Sequence, residues 1–244
     1  TVRCWGDNSL GQLGDGTNVS STSPVTVSGL TGVTNIAAGG FHTCAVKSDA
    51  TVACWGGNAD GELGNGSFDP SSNVPVVAFN LVGVTAVAAG GSHTCALRST
   101  GQVSCWGDNF SGQLGTGANS SATTPRSVAA LTGIVAISAG DAHSCALRSN
   151  GKVACWGDNV NGQLGNGSFV NSNVAGDVNS LTNATAVTSG GGFNCAVTAT
   201  GGAVCWGENL YGQLGNGVAL PPPPQPGDPP PTPINSNVPV AVVG

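Results

Sequence analysis

Short runs of alternating apolar and polar residues recur along this chain at a fixed interval. The motif Cys-Trp-Gly begins at residues 4, 54, 105, 155 and 205. One repeat contains four such runs, which read "VACWG" (52–56), "VPVVAF" (74–79), "VTAVAAGG" (84–91) and "SHTCALRS" (92–99). Alternation with β-branched and aromatic residues between glycine-rich turns predicts β-strands. No run of useful length has a helical period, so the pattern predicts an all-β protein.

Four short strands in a repeat of this length are typical of one blade of a β-propeller. We therefore predict a single propeller domain over 1–244, with about five four-stranded blades and repeats that start near residues 1, 51, 102, 152 and 202. The last repeat ends after its proline-containing strand, so we expect one blade to be incomplete. Three explanations stay open: a fragment of a longer propeller, an open arc, or strands supplied by a neighbouring molecule.

A proline-rich segment interrupts the fifth repeat at 220–236. Proline-rich chain is extended and semi-rigid. Because "NVPVAVV" then resumes the outer-strand pattern, we interpret the segment as a loop insertion in that repeat and not as a linker to a second domain.

The chain has few charges, with 7% charged residues, a net charge of −6 and only six Lys plus Arg. These cations do not cluster along the sequence. Nucleic-acid binding requires a basic footprint, so we predict no nucleic-acid partner. No apolar run approaches the roughly 18–20 residues that cross a bilayer, so no membrane span is expected. The expected partner is a protein or a neighbouring subunit of the same kind.

Eight of the nine cysteines fall into pairs ten residues apart. A hairpin turn within "RSTGQV" (98–103) would place Cys95 opposite Cys105, within disulfide range. We therefore predict the disulfides Cys44–Cys54, Cys95–Cys105, Cys145–Cys155 and Cys195–Cys205, against the alternatives of free thiols or zinc ligands. Cys4 remains unpaired or intermolecular. Disulfides indicate an extracellular or cell-surface location, with the periplasm as another option.

One hairpin turn departs from the others. Ala50 stands where Gly101, Gly151 and Gly201 occupy the left-handed position. A left-handed alanine costs roughly 1 kcal/mol, so we expect that turn to differ in type.

The residues that could take part in catalysis or metal binding recur at equivalent positions of the repeats. His42, His93 and His143 share one position, and Phe193 fills it in the fourth copy. A catalytic or metal-binding ring would not accept Phe, so these histidines are interpreted as structural. We predict no catalytic, cofactor-binding or metal-binding residue, and hence no enzyme.

Recognition is expected where the copies differ, because variable loops on a fixed scaffold commonly carry binding. The candidate contact residues are Ser9, Leu10, Phe68, Phe110, Phe169 and Tyr211. Phe68 and Phe169 share a repeat position, so they either anchor a partner or pin their own loops.

The motif "CWGDNxxGQLGxG", followed by "Vxx(I/V)xxGGxHTCALxSxGxV", resembles the regulator of chromosome condensation repeat family over essentially the whole chain. The resemblance implies a β-propeller, commonly of seven blades. Family members include an exchange factor for a small GTPase, a plant photoreceptor and a secreted bacterial β-lactamase inhibitor, so the fold does not fix the function.

We expect this chain to be of the bacterial, secreted type. The expected function is non-catalytic extracellular recognition of a protein or a surface. The alternatives are a structural subunit of an extracellular fibre or envelope, completed by strands from a neighbour, and a proteinaceous inhibitor of a secreted enzyme such as a β-lactamase.

Overall fold

The computed structural model describes residues 1–218 and 234–243, and within these ranges it contains eighteen β-strands and no helix. The strands form four four-stranded sheets and one two-stranded sheet. The predictions of an all-β class and of about five blades, one of them incomplete, are confirmed. The predicted insertion at 220–236 falls outside the described residues except at 234–236.

The sheets follow one another in chain order. The two-stranded sheet contains β1 (Arg3–Gly6) and β2 (Ser21–Thr26). The second sheet contains β3 (Val33–Ala38), β4 (His42–Lys47), β5 (Val52–Gly57) and β6 (Ser71–Val77). The third contains β7 (Val84–Ala89), β8 (His93–Arg98), β9 (Val103–Gly107) and β10 (Ala122–Ser127). The fourth contains β11 (Ile134–Ala139), β12 (His143–Arg148), β13 (Val153–Gly157) and β14 (Ser172–Asp177). The fifth contains β15 (Ala184–Ser189), β16 (Phe193–Thr198), β17 (Ala203–Gly207) and β18 (Ser236–Ala241).

Each four-stranded sheet is an antiparallel meander in sequence order. The Cys-Trp-Gly strand is the third strand of its sheet, so every complete sheet combines the end of one sequence repeat with the beginning of the next. The two-stranded sheet holds only a third and a fourth strand.

The hairpin between the second and third strands is the same in the four complete sheets. Ala50 has a φ of 60°, close to the 77° and 78° of Gly101 and Gly151. Its amide donates to Lys47 O, as the amide of Gly101 donates to Arg98 O. The expectation that the Ala50 turn differs in type is therefore wrong, because the surrounding hairpin holds the alanine in the left-handed region.

The first strands of neighbouring sheets contact one another along the inner edges of the sheets. The amide of Gly40 donates to Gly90 O at 3.0 Å, and the amide of Gly91 donates to Asp141 O at 3.0 Å. A Cβ atom on Gly40 would lie 2.9 Å from Gly91 O. This crowding explains why the central connections are rich in glycine.

The hydrophobic core lies between sheets and not within them. Val46 lies in the second sheet, and Leu63 lies in the loop after the third strand of that sheet. Both pack in one cluster with Val84, Val87 and Trp106 of the third sheet. The Trp106 indole Nε1 donates to Glu62 O at 2.7 Å, and this bond recurs at Trp55, Trp156 and Trp206. Each sheet therefore depends on its neighbour for burial, as in other repeat architectures.

Candidate recognition surface

The strand order gives the molecule two distinct ends. We call one end the loop face: it carries the connections 7–20, 58–70, 108–121, 158–171 and 208–218, together with the short central connections near 39–41, 90–92, 140–142 and 190–192. The opposite end, called the turn face, carries the hairpin turns such as 48–51 and 99–102 and the links to the next sheet. Corresponding elements of all sheets lie at the same end.

A buried asparagine holds each long loop of the loop face. In the third sheet, Asn109 Oδ1 accepts from the Leu114 amide at 3.0 Å, and its Nδ2 donates to Ala118 O at 2.8 Å and to Ser120 O at 3.0 Å. The corresponding residues Asn8, Asn58, Asn159 and Asn209 are also buried, and their Oδ1 atoms accept from Leu13, Leu63, Leu164 and Leu214. These bonds fix the loop frame and leave the variable positions pointing outward.

All six candidate contact residues are exposed on this face. Phe68, Phe110 and Tyr211 are 87%, 86% and 83% exposed, which is uncommon for large aromatic side chains. Leu10 is 37% exposed, Phe169 is 49% exposed, and Ser9 is also exposed. Phe68 is thus almost uncovered by its own loop, whereas about half of the surface of Phe169 is covered.

Phe41 is a further apolar residue on the loop face that the sequence interpretation missed. It lies in the connection between β3 and β4 and is 53% exposed. A Cβ atom on Gly57 would lie 3.2 Å from Phe41 Cβ and 3.3 Å from Leu10 Cδ1, so Phe41 and Leu10 flank the same glycine. In the sequence, Phe41 can be recognised because the corresponding positions of the other repeats hold the small residues Ser92, Ala142 and Gly192.

Charge is segregated between the two ends. All six cations lie at the turn face or at the strand ends next to it: Arg3, Lys47, Arg98, Arg126, Arg148 and Lys152. Only two carboxylates of the described chain accompany them, and both are ion-paired: Asp49 with Lys47 at 2.9 Å, and Asp177 with Arg148 at 3.4 Å and Lys152 at 3.0 Å.

The loop face carries the remaining carboxylates of the described residues and none of the cations. They are Asp7, Asp15, Asp60, Glu62, Asp69, Asp108, Asp141, Asp158 and Glu208. With no cation beside them, their potentials add over this surface. The loop face is therefore acidic, and it also carries exposed aromatic side chains.

Some of these carboxylates also organise the loops. Asp7, Asp108 and Asp158 each accept from the amide of a glutamine five residues on, at 2.8 Å. Asp7 also accepts from Ser9, and these hydrogen bonds hold the pKa of its carboxyl below the usual value. They leave the Asp7 carboxylate ionised at neutral pH.

In the second repeat, both members of this aspartate–glutamine pair are replaced. Gly57 replaces the aspartate, and Glu62 replaces the glutamine. Glu62 Oε2 accepts from the Asp60 amide at 2.9 Å, the role that Gln12 Oε1 plays for Leu10. Burial raises the pKa of Glu62. The loop therefore keeps its conformation, although this repeat has no aspartate to accept a hydrogen bond from a glutamine side chain.

The three histidines lie buried between sheets. Their Nε2 atoms contact Thr94 Oγ1, Ser144 Oγ and Asn194 Oδ1 of the next sheet at 2.8, 2.8 and 2.9 Å. Burial lowers the pKa of His42 to about 4 and that of His93 to about 3, and it also lowers the pKa of His143. The three side chains are uncharged at neutral pH, and each bonds to the next sheet. The described chain has no group of three or more His, Cys, Asp or Glu placed to hold a metal ion.

The cysteines pair across the second and third strands of the complete sheets. The disulfides are Cys44–Cys54, Cys95–Cys105, Cys145–Cys155 and Cys195–Cys205, each with Cα atoms 4.1 Å apart. Cys4 is half-buried and carries no disulfide. Among the described residues there is also no helix long and apolar enough to cross a bilayer.

Comparison with known proteins identifies the scaffold. A profile of the RCC1-like domain matches residues 1–242. The ultraviolet-B receptor UVR8 of Arabidopsis thaliana is 33% identical over 133 residues, which cover 53% of this chain and 30% of the receptor. The probable E3 ubiquitin-protein ligase HERC6 of Homo sapiens is 40% identical over 134 residues, which cover 52% of this chain and 13% of the ligase. The chain thus spans less than a third of either relative.

Solved structures match over nearly the whole chain. Prp20p from Saccharomyces cerevisiae has a TM-score of 0.83 at 25% identity, covering 99% of this chain and 58% of that protein. Human WBSCR16 has a TM-score of 0.81 at 23% identity, covering 98% of this chain and 62% of that protein. These matches confirm the predicted propeller fold.

Proposed function

Because the chain belongs to the RCC1-like domain family, whose repeat its own motifs resemble, we propose that it is a non-catalytic recognition module whose loop face binds a cationic protein surface. The segregation of charge carries the proposal. Nine carboxylates and no cation of the described chain occupy the loop face, and the exposed aromatic residues stand among them.

The two kinds of residue have different roles in this proposal. Unpaired carboxylates steer and orient an oppositely charged partner, mainly through the association rate. Exposed aromatic side chains supply apolar area at a low entropic cost and are common at interface hot spots. Phe68, Phe110 and Tyr211 are the three most exposed aromatics of the described chain and serve as the anchors.

A protein partner agrees with what is stated of one relative. The Prp20p structure is described together with the binding of Prp20p to Gsp1p and histones. The acidic loop face would repel the phosphates of a nucleic acid. We therefore propose a protein, and not a nucleic acid, as the partner of the loop face.

The extracellular location is also proposed, and the four disulfides support it. Structural disulfides persist in oxidising compartments and are rare in the cytosol. Each complete sheet contains one, so the pattern belongs to the scaffold as a whole and not to a single redox site.

The loop-face proposal is tested with a lysine- and leucine-rich peptide as the probe. The loop-face variant carries Asp60→Asn and Asp141→Asn, and a matched turn-face control carries Asp49→Asn and Asp177→Asn. We expect the loop-face variant to bind the peptide about tenfold more weakly at low salt, while the control keeps the affinity of the parent.

Two further arms complete the experiment. Replacing both Phe68 and Phe110 by Ala should weaken binding at all salt concentrations, because the loss is of apolar contact. A glutamate-leucine peptide and duplex DNA should not bind. Equal weakening by the loop-face and turn-face variants, or equal binding of the acidic peptide, would contradict the proposal.

A further inference from the structure

The links that join successive sheets share one packing pattern. A link runs from the last strand of one sheet to the first strand of the next, and the described chain contains four links, at 27–32, 78–83, 128–133 and 178–183. The first and fourth residues of every link are buried; in the second link these are Ala78 and Leu81. Because these two residues provide the contact with the sheets, the second and fifth residues are left at the surface.

The second link has large apolar side chains at these surface positions. Phe79 and Val82 are 55% and 64% exposed, and Val77 at the end of β6 is 58% exposed. Val77 and Phe79 flank the buried Ala78, so both point outward. The corresponding residues are small or polar at the other three links: Thr26, Ser28 and Thr31; Ser127, Ala129 and Thr132; Asp177, Asn179 and Thr182. The repeat therefore does not require this apolar surface, and exposed apolar patches commonly mark interaction sites.

We call Val77, Phe79 and Val82 the turn-face patch, because cations of the turn face lie beside it. Gly83 O accepts from the first amide of the hairpin 99–102 at 2.8 Å, and the amide of the residue after Gly83 donates to Ala50 O at 3.0 Å. The link thus ends between two hairpins, which begin after Lys47 and Arg98. Apolar side chains next to Lys and Arg are the combination that binds the boundary between lipid headgroups and acyl chains.

The remaining cations of the turn face are spread over neighbouring sheets. Arg126 of the third sheet is exposed and forms no ion pair within the described chain. Arg148 and Lys152 of the fourth sheet share one carboxylate, that of Asp177. A flat anionic surface can contact cations of several sheets at once, whereas a small protein partner would reach only a few of them. The arrangement therefore favours a lipid surface over a protein as the occupant.

The acidic loop face does not oppose such a contact. Strands of about six residues separate the two faces by roughly 20 Å, which is about two Debye lengths at physiological salt. A surface at the turn face is therefore affected mainly by the six cations and two carboxylates of that end.

We propose that the turn face binds the surface of an anionic lipid bilayer, with the turn-face patch inserted among the headgroups and the surrounding cations placed on the anionic lipids. The protein lies on the bilayer and does not span it. In this orientation the loop face points away from the membrane and is free to bind a protein. The inference uses other residues than the loop-face proposal and does not depend on it.

The test measures co-sedimentation of the intact protein with vesicles of phosphatidylcholine and phosphatidylglycerol, and with vesicles of phosphatidylcholine alone. The patch variant carries Phe79→Ser and Val82→Thr, which copy the first link. The matched control carries Val160→Ser and Val170→Thr, which remove two exposed apolar side chains from the loop face. We expect the patch variant to bind the anionic vesicles at least about tenfold more weakly, because apolar insertion is lost, and the control to bind as the parent does.

Two charge variants test the electrostatic part. Arg126→Gln should weaken binding to the anionic vesicles about fivefold at low salt. Asp49→Asn with Asp177→Asn should strengthen it, because the variant removes the two carboxylates that accompany the cations. The same double variant should keep its affinity for the lysine- and leucine-rich peptide, so this inference and the loop-face proposal can fail separately.

A tryptophan placed in the patch reports insertion directly. The additional fluorescence of Val82→Trp should be quenched by lipids with brominated acyl chains, whereas that of Val160→Trp should not. Equal binding to neutral and anionic vesicles, or unchanged binding by the patch variant, would overturn the proposal. Binding of a soluble glutamate- and leucine-rich peptide that is lost with Phe79→Ser would overturn it as well, because the patch would then belong to a protein interface.

Discussion

Ala50 shows how strongly the repeat imposes its backbone on a single residue. Its φ of 60° lies in the region that glycine adopts freely and alanine avoids. The hairpin bonds on both sides, from Ala50 N to Lys47 O and from Lys47 N to Thr51 O, hold the turn. The hairpin thus carries a local strain that its three counterparts, with glycine, do not have.

Replacing Ala50 by Gly should therefore stabilise the protein by about 0.5–1 kcal/mol, since relief of the left-handed strain exceeds the added flexibility of the unfolded chain. The midpoint of urea unfolding measures the effect. Ala59→Gly is the matched control, because Ala59 is exposed in a loop and does not have positive φ. It should be neutral or slightly destabilising, and stabilisation of both variants alike would argue against strain at Ala50.

The buried histidines make the stability depend on pH. The pKa of His93 is about 3 in the folded protein and about 6.5 in the unfolded chain. The unfolded state therefore binds the proton first. Stability from this group is present above pH 6.5 and is lost as the pH falls toward the folded pKa, by up to about 1.4 kcal/mol per pH unit.

His93→Phe, which copies Phe193 of the fifth sheet, should reduce the loss of stability between pH 7 and pH 4. Ser144 keeps its bond to Gln113 O in this variant, so the cost at neutral pH is small. Urea unfolding at several pH values tests the slope. The reciprocal change Phe193→His, at a half-buried site, should alter the slope less, and an unchanged slope in His93→Phe would refute the assignment.

At the scale of the elements, the central hairpin of each sheet is cross-linked as well as hydrogen-bonded. Cys95 and Cys105 face each other in register, and both are buried between neighbouring sheets. The cross-link constrains the unfolded chain, and its short loop limits the effect to about 2–3 kcal/mol.

Replacing Cys95 and Cys105 together by Ala should lower the free energy of unfolding by about 2–3 kcal/mol. Denaturant titration measures it, and the unmodified protein under reducing conditions is the comparison. Titration of thiols in the denatured, unreduced protein should find one thiol, that of Cys4, and reduction should expose all nine cysteines. Nine thiols before reduction would contradict the cross-linked state and the proposed extracellular location.

The strands themselves follow from local signals in the sequence, because alternation and glycine punctuation repeat faithfully from copy to copy. The outer strand is the exception. It begins at Ser71 and not at Val74, because polar Ser71 and Ser72 pair with Gly57 and Gly56 across a bulge. Polar residues at an exposed sheet edge give no apolar pattern, so this part of the strand is invisible to periodicity.

At the scale of the whole molecule, the sequence predicts the stacking of blades but not the surface that stacking creates. The six cations are scattered along the chain and form no run. They lie together at the turn face because each occupies a strand end or a hairpin turn at that end of its sheet. Phe41 was missed for a similar reason: its neighbour Leu10 is distant in sequence and near only after folding.

The segregated charge has a consequence beyond affinity. A molecule that is negative at one end and positive at the other has a large electric dipole moment along the line that joins its loop face to its turn face. In the field of a charged partner or a charged cell surface, such a dipole experiences a torque before any contact is made. The protein would thus approach with its loop face already turned toward a cationic target, and the fraction of productive collisions would fall as salt screens that torque.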